Sequence, residues 1–334
     1  MTEKIYYEGN WVDVGGGIQP FDYTNKFFID SGGLIHSGMS NSYTFRFASW
    51  TSDGITWNTW TPPDGGVTWA LSSDGNHFQS TALFLNDAYL FKGMSQKQCW
   101  RYAASQAVQP IFAYMNSSDQ QNAGYVATNG SILATVGVRA GGSSWGVYYT
   151  TDGEHWTFSY TNSGVPVGFH YGNGIWVISG PTTVAYTSTN GTSWGSTTFS
   201  KTSGSSVWFR SGVWFELSAN LIRRSSGLTV SNGNWVTVNS TSGTVTSLVG
   251  NGNGTFIAVR PASVLCSTDN GNTWTETKTG SGMRHAGHVN GTFIVTRSSY
   301  GTEYYTSTDG STWTTRNFAE NAMVDRAYQF SGLE

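Results

Sequence analysis

The sequence predicts an all-β fold of repeated four-stranded units, and three observations predict it: a motif recurring about every forty residues, a composition rich in turn formers, and no helical periodicity. The 334 residues include 42 Gly but only 7 Pro, and Ser, Thr and Asn are abundant. With 38% hydrophobic and 15% aromatic residues the chain can bury a large core, although only 11% of it is charged. No long stretch places apolar residues at i, i+3, i+4 and i+7, so short strands joined by tight turns are expected.

The recurring turn is clearest in WTSDGITW (Trp50 to Trp57), YTTDGEHW (Tyr149 to Trp156), YTSTNGTSW (Tyr186 to Trp194), LCSTDNGNTW (Leu265 to Trp274) and YTSTDGSTW (Tyr305 to Trp313). Weaker versions stand at SSDGNHF (Ser72 to Phe78), RRSSGLTV (Arg223 to Val230) and RYAASQAV (Arg101 to Val108). A second element, an Asn-Gly-like turn opening an aromatic and β-branched run, precedes the first. It is seen at Asn129, Asn173, Ser211, Gly252 and Asn290, at intervals of 44, 38, 41 and 38 residues, and again at Asn86 and, loosely, Thr24. Such turns open hairpins.

Forty residues hold four strands of five or six residues with their loops, which is one propeller blade. Seven starts therefore predict a β-propeller of seven four-stranded blades in a single domain spanning residues 1–334. The interval of 62 from Thr24 to Asn86 predicts an insertion over about residues 58–78 in the first blade; assigning that stretch to another blade would make eight. A propeller must hide its open edges, so strands within about 5–14 and 326–333 are expected to close the ring.

Within the recurring turn, Asp accepts bonds from backbone amides ahead of it, Gly supplies positive φ, Ser or Thr bonds locally, and Trp packs between sheets. The motif resembles the Asp-box of bacterial-neuraminidase-repeat propellers, a resemblance that covers most of the chain from Trp50 to Trp313. It implies that the turns join third to fourth strands on the face away from any ligand. Asp53, Asp74, Asp152, Asn190, Asp269 and Asp309 are accordingly expected to hold turns. One Asp per turn offers too few oxygens for calcium, and Asn190 and Ser226 in place of Asp fit turn chemistry, so no metal and no cofactor is expected.

The same resemblance implies a ligand face formed by the loops after the second strands, which carry Lys92, Arg139, Arg260 and Arg297, with Glu216 and Glu303 nearby. Sialidases use an arginine triad, a Tyr/Glu nucleophilic pair and an Asp acid/base. Here Arg260-Pro261 falls late in the chain, and Asp22 and Asp30 lack a recognisable acid/base context. No nucleophile elbow, Walker loop or zinc spacing is present, and His285 and His288 are the only close histidine pair. A non-catalytic protein is expected, with sialidase-type glycoside hydrolysis as the remote alternative.

Sugar rings stack on aromatic faces. Trp57, Trp60, Trp69 and Trp145 are therefore candidate ligand-binding residues together with Arg139, Arg260 and Arg297, each tryptophan having blade packing as its competing role. A net charge of −3 and no basic run longer than Arg223-Arg224 argue against nucleic acid as a partner. Neither a leader nor eighteen consecutive apolar residues is visible, so no membrane insertion is expected. Cys99 and Cys266, 167 positions apart, read as buried thiols. Low charge with much Gly, Ser, Thr and Asn resembles bacteriophage tail-fibre and head-decoration proteins. The expected role is a virion structural protein, made in the host cytoplasm, that docks to other virion subunits or to a host-surface carbohydrate. A lectin-like or assembly-factor propeller is the alternative.

Overall fold

The computed structural model describes residues 4–7, 10–13, 27–31, 48–60, 83–85, 88–92, 98–103, 111–114, 122–138, 144–151, 157–163, 166–227, 234–240, 243–297, 301–322 and 324–329. Every regular element among them is a β-strand. The hairpin signals work as their chemistry requires. Asn173-Gly174, Ser211-Gly212 and Asn290-Gly291 each have positive φ at both positions, the conformation whose twist matches the strands it joins. Each links the first strand of a sheet to its second, as Gly168–Gly172 to Ile175–Ser179.

The strands assemble into seven four-stranded antiparallel sheets and one two-stranded ribbon among the described residues. Five sheets follow chain order without interruption: 122–163, 168–200, 206–239, 247–279 and 283–322. A sixth joins Leu83–Leu85, Ala88–Lys92, Gln98–Ala103 and Ile111–Tyr114. In the seventh, the C-terminal strand Val324–Gln329 pairs with Phe27–Ser31, which pairs with Ala48–Thr51 and then Asn58–Trp60. First strands of successive sheets lie against one another, so the sheets stand side by side about their first strands.

The two ends pair in different ways. The C-terminal segment does become the first strand of a sheet begun near the N-terminus, whereas Lys4–Tyr7 and Asn10–Asp13 pair with each other. Their four residues pair in continuous register from Lys4 with Asp13 to Tyr7 with Asn10, so local pairing satisfies the ladder without a distant partner. Residues 58–60, expected to start the insertion, instead complete the seventh sheet; residues 61–78 lie outside the described set.

The sheets at 168–200, 206–239, 247–279 and 283–322 are apolar on both faces because both are covered by neighbours. Trp176 and Ile178 meet Val136 and Val147 of the preceding sheet, Phe256 and Ala258 meet Phe215 and Leu217, and Phe293 and Val295 meet Ile257 and Val259. Second strands such as Phe256–Arg260 are buried along their whole length. A strand covered on both faces reads as a continuous apolar run, which is why these segments stood out in sequence.

Candidate functional site

Two faces can be distinguished from the hydrogen bonds. The turn between second and third strands lies beside the connection to the next sheet: Gly204 N–H donates to Pro181 O, Gly243 N–H to Ala219 O, and Gly280 N–H to Ala262 O. This is termed the corner face. The Asp-bearing turns join third to fourth strands and lie at the opposite end, beside the hairpin turns, where Asn270 N–H donates to Gly254 O.

On the turn face the carboxylates are committed to the backbone. Asp309 Oδ1 accepts from Ser311 N–H at 2.8 Å and Thr312 N–H at 2.7 Å, while Ser307 Oγ accepts from Gly310 N–H at 2.8 Å. Asp53 repeats this with Ile55 and Thr56, and Asn190 with Thr192 and Ser193. Asp269 reaches Asn272 and Thr273, one residue further, because Asn270 at φ 62° adds a position to the turn. The Thr273 amide leads in holding the Asp269 carboxyl at about 2, and the Thr312 amide in holding Asp309 at about 2. For Asp53 partial burial is the largest influence and acts upward, but the Ile55 and Thr56 amides prevail and leave it at about 2. Asp74 and Asp152 lie outside the described residues.

These turns join neighbouring sheets. Ser159 donates to Thr192 O, Thr277 to Gly310 O and Asn290 to Ser52 O, in each case from the preceding sheet. The motif tryptophans follow the same rule. Trp57 packs edge-on against Tyr304 and Phe318, Trp194 packs near Tyr160, Trp274 against Phe215, and Trp313 bonds Thr277 Oγ1. Trp57 thus serves as a wedge between sheets rather than as an open stacking platform. Trp235 holds the equivalent place in the 206–239 sheet, packed with Val177 and Ala185 of the preceding sheet. Trp235 follows Ser225 by ten positions where Trp194 follows Ser188 by six, which masks the motif in sequence. Because Asn190 already does natively what Asp does elsewhere, Asp309→Asn should be nearly neutral. Asp309→Ala should cost about 1 kcal/mol in urea unfolding, the low end for a bond to a charged acceptor because the site is exposed.

The corner face gathers the charged residues expected after the second strands, and most are tied into the fold. Glu216, with its side chain 0% exposed, accepts from Thr202 N–H at 2.5 Å and Ser205 Oγ at 2.8 Å through Oε1, and from Arg223 Nη1 at 2.6 Å through Oε2. Arg223 lies over Trp235. Lys201, buried beside them, donates to Thr202 O; burial pulls its ammonium down to about 8 against the pull of Glu216. Arg260 is buried and donates to Asn239 Oδ1 at 3.0 Å. Arg297 donates to Ser281 O at 3.0 Å and to Glu303 Oε2 at 2.7 Å.

Trp145 requires correction as a ligand candidate. It belongs to strand Ser144–Thr150, is 0% exposed, and packs between Tyr160 and Tyr186, because strand alternation turns it toward the next sheet. Arg260 is likewise closed to a ligand by its burial. Trp69 and Arg139 lie outside the described residues, and only the backbone of Trp60 and Lys92 is described. Among the described residues no group of three His, Cys, Asp or Glu is placed to hold a metal ion. Cys266 is a buried thiol whose ionisation burial disfavours.

A cluster the sequence reading did not single out sits on the first strands. His170 lies 5.1 Å from the Trp208 ring and Arg210 lies 4.9 Å over the same ring. Burial, then the Arg210 charge, pushes His170 well below 6.5, and burial lowers His288 as well. Between the lowered folded values and about 6.5 the unfolded chain binds protons that the folded one does not, so stability should fall as pH drops below 6.5. Melting temperatures at pH 7.5 and 5.5 check this, and His170→Phe should reduce the difference.

No protein-family model and no curated protein sequence matches the chain. Among solved structures it is similar to virginiamycin B lyase from Staphylococcus aureus, with TM-score 0.56 and 9% identity over 74% of this chain and 87% of that one. It is also similar to YCF48 from Cyanidioschyzon merolae, with TM-score 0.52 and 12% identity over 83% and 94% of the two chains. The computationally designed Ika8 protein aligns with TM-score 0.55 and 10% identity over 83% and 86%. At these identities the likeness concerns fold alone, and the fold is an all-β propeller of four-stranded antiparallel sheets.

Proposed function

We propose that the chain is a non-catalytic docking propeller of a virion, with Asp-box turns as its scaffold, which binds other structural subunits or a host-surface glycan through its corner face. Seven blades closed into a ring by the C-terminal strand are part of this proposal. The observation that carries the non-catalytic reading is the engagement of Glu216. Both of its oxygens are saturated by Thr202, Ser205 and Arg223, and its side chain is out of reach of solvent. A nucleophile or its partner must touch substrate, and a general acid or base must lie within hydrogen-bond reach of the proton it moves. Arg260 is similarly occupied, so the two residues best placed for sialidase-type chemistry are spent on joining sheets.

Proteomic analysis of particles purified through a density gradient tests the virion role: the chain should co-purify at stoichiometric abundance, and its absence would end that assignment. A fluorogenic sialoside should be left unhydrolysed. Measurable turnover that disappears in Glu216→Gln would restore the glycosidase alternative.

A further inference from the structure

Among the described residues Arg284 is a corner-face cation that the fold does not use. It is exposed, and among the described residues no carboxylate pairs with its guanidinium. Its placement follows from a β-bulge: Met283 pairs with Arg297 and His285 with Thr296, leaving Arg284 as the extra residue of its strand. Bulges re-aim side chains, and proteins use them for that purpose at functional sites.

The backbone of this bulge is pinned from the neighbouring sheet. Thr246 Oγ1 donates to Arg284 O at 2.8 Å, and Ser247 Oγ accepts from Ala286 N–H at 3.0 Å. Across the bulge stands Arg297, held by Ser281 and Glu303 with 28% of its side chain exposed. One carboxylate, Glu303, stands beside these two guanidiniums, and it binds Arg297. Further around the face Arg223 pairs with the fully buried Glu216, and the buried Arg260 feels the charge of Glu276. The ionised carboxylates of Asp53, Asp269 and Asp309 lie at the opposite end of the sheets, together with Arg210, Arg224 and Arg316. Among the described residues the corner face thus holds Lys201, Arg223, Arg260, Arg284 and Arg297 against Glu216, Glu276 and Glu303, an excess of cations of the kind that steers an anionic ligand.

We infer that Arg284 and Arg297 form an oxyanion site on the corner face for the carboxylate or sulfate groups of an acidic polysaccharide, an inference that rests on the glycan arm of the proposed function. A guanidinium presents paired donors that match either group. Arg297 supplies a fixed charge and Arg284 the donors left over for the ligand.

Binding of the full chain to immobilised heparin, polygalacturonate and dextran separates sulfate, carboxylate and neutral sugar. Wild type should bind at least one acidic polymer at low salt and release it as salt rises. Arg284→Ala should weaken that binding about tenfold or more with an unchanged melting temperature, and Arg284→Lys should retain part of it. Arg224→Gln, which removes one cation from the turn face, should leave binding intact. Equal losses in Arg284→Ala and Arg224→Gln would reduce the effect to overall charge and overturn the site. Binding to dextran as strong as to the acidic polymers would overturn the oxyanion while leaving glycan docking standing, and no binding to any polymer would remove both.

Discussion

Glu216→Ala should lower the unfolding free energy by about 3 kcal/mol, near the lower bound for breaking a buried ion pair because Arg223 keeps 23% of its side chain exposed. Glu216 stands two residues after Trp214, facing the 168–200 sheet; Ile178, Ala258 and Val295 occupy the same place after Trp176, Phe256 and Phe293. Three seams are thus closed by apolar contact at this level and one by a carboxylate. Removing the carboxylate strands the Thr202 amide, the Ser205 hydroxyl and one face of Arg223 in a site that water cannot enter freely. Arg223→Ala in the same chain should restore part of the loss, since the double variant no longer strands the cation. Urea midpoints of the two single variants and the double variant measure this. A Glu216→Ala midpoint unchanged from wild type would mean that the seam is held by Trp214 and its neighbours alone.

Gly172→Ala should cost at least 1–3 kcal/mol, by overpacking rather than by loss of contact. A Cβ on Gly172 would come within 2.1 Å of Phe209 Cγ on the next first strand. Phe209 has little freedom to retreat, being 4% exposed and tilted against Trp214 at 5.0 Å. Gly250 repeats the situation one position earlier in its own hairpin, meeting Ser211 Oγ at 2.5 Å and Phe256. First strands crowd together where the sheets converge, and at the hairpin end of two of them only a hydrogen fits. Gly172→Ala combined with Phe209→Leu should recover stability if the clash is the cause; thermal melts of the four combinations decide it.

The turn motifs were readable because each is a local contract: Ser or Thr, Asp and Gly bond within five residues, as at Ser307, Asp309 and Gly310. The degraded copy after Arg223 was only half readable, since its tryptophan, Trp235, stands ten positions after Ser225 rather than six. For ligand candidates legibility was poorer. Trp145 carries the chemistry of a stacking platform, but its exposure depends on which sheet face it occupies and what covers that face. Arg260 and Arg297 follow equivalent apolar runs, yet one is buried against Asn239 and the other remains partly open beside Glu303.

What the sequence determined by itself is the repeating unit: apolar strand runs, positive-φ hairpins and Asp-bearing turns, all built from contacts a few residues apart. What only the tertiary structure decided is how those units meet. The bulge that turns Arg284 outward, the burial of Glu216 and the pairing of Val324–Gln329 with Phe27–Ser31 each join segments distant in sequence, or depend on a neighbouring sheet. Such contacts carry no local signature, because their energy comes from desolvation and packing between sheets rather than from the conformational preference of any short segment.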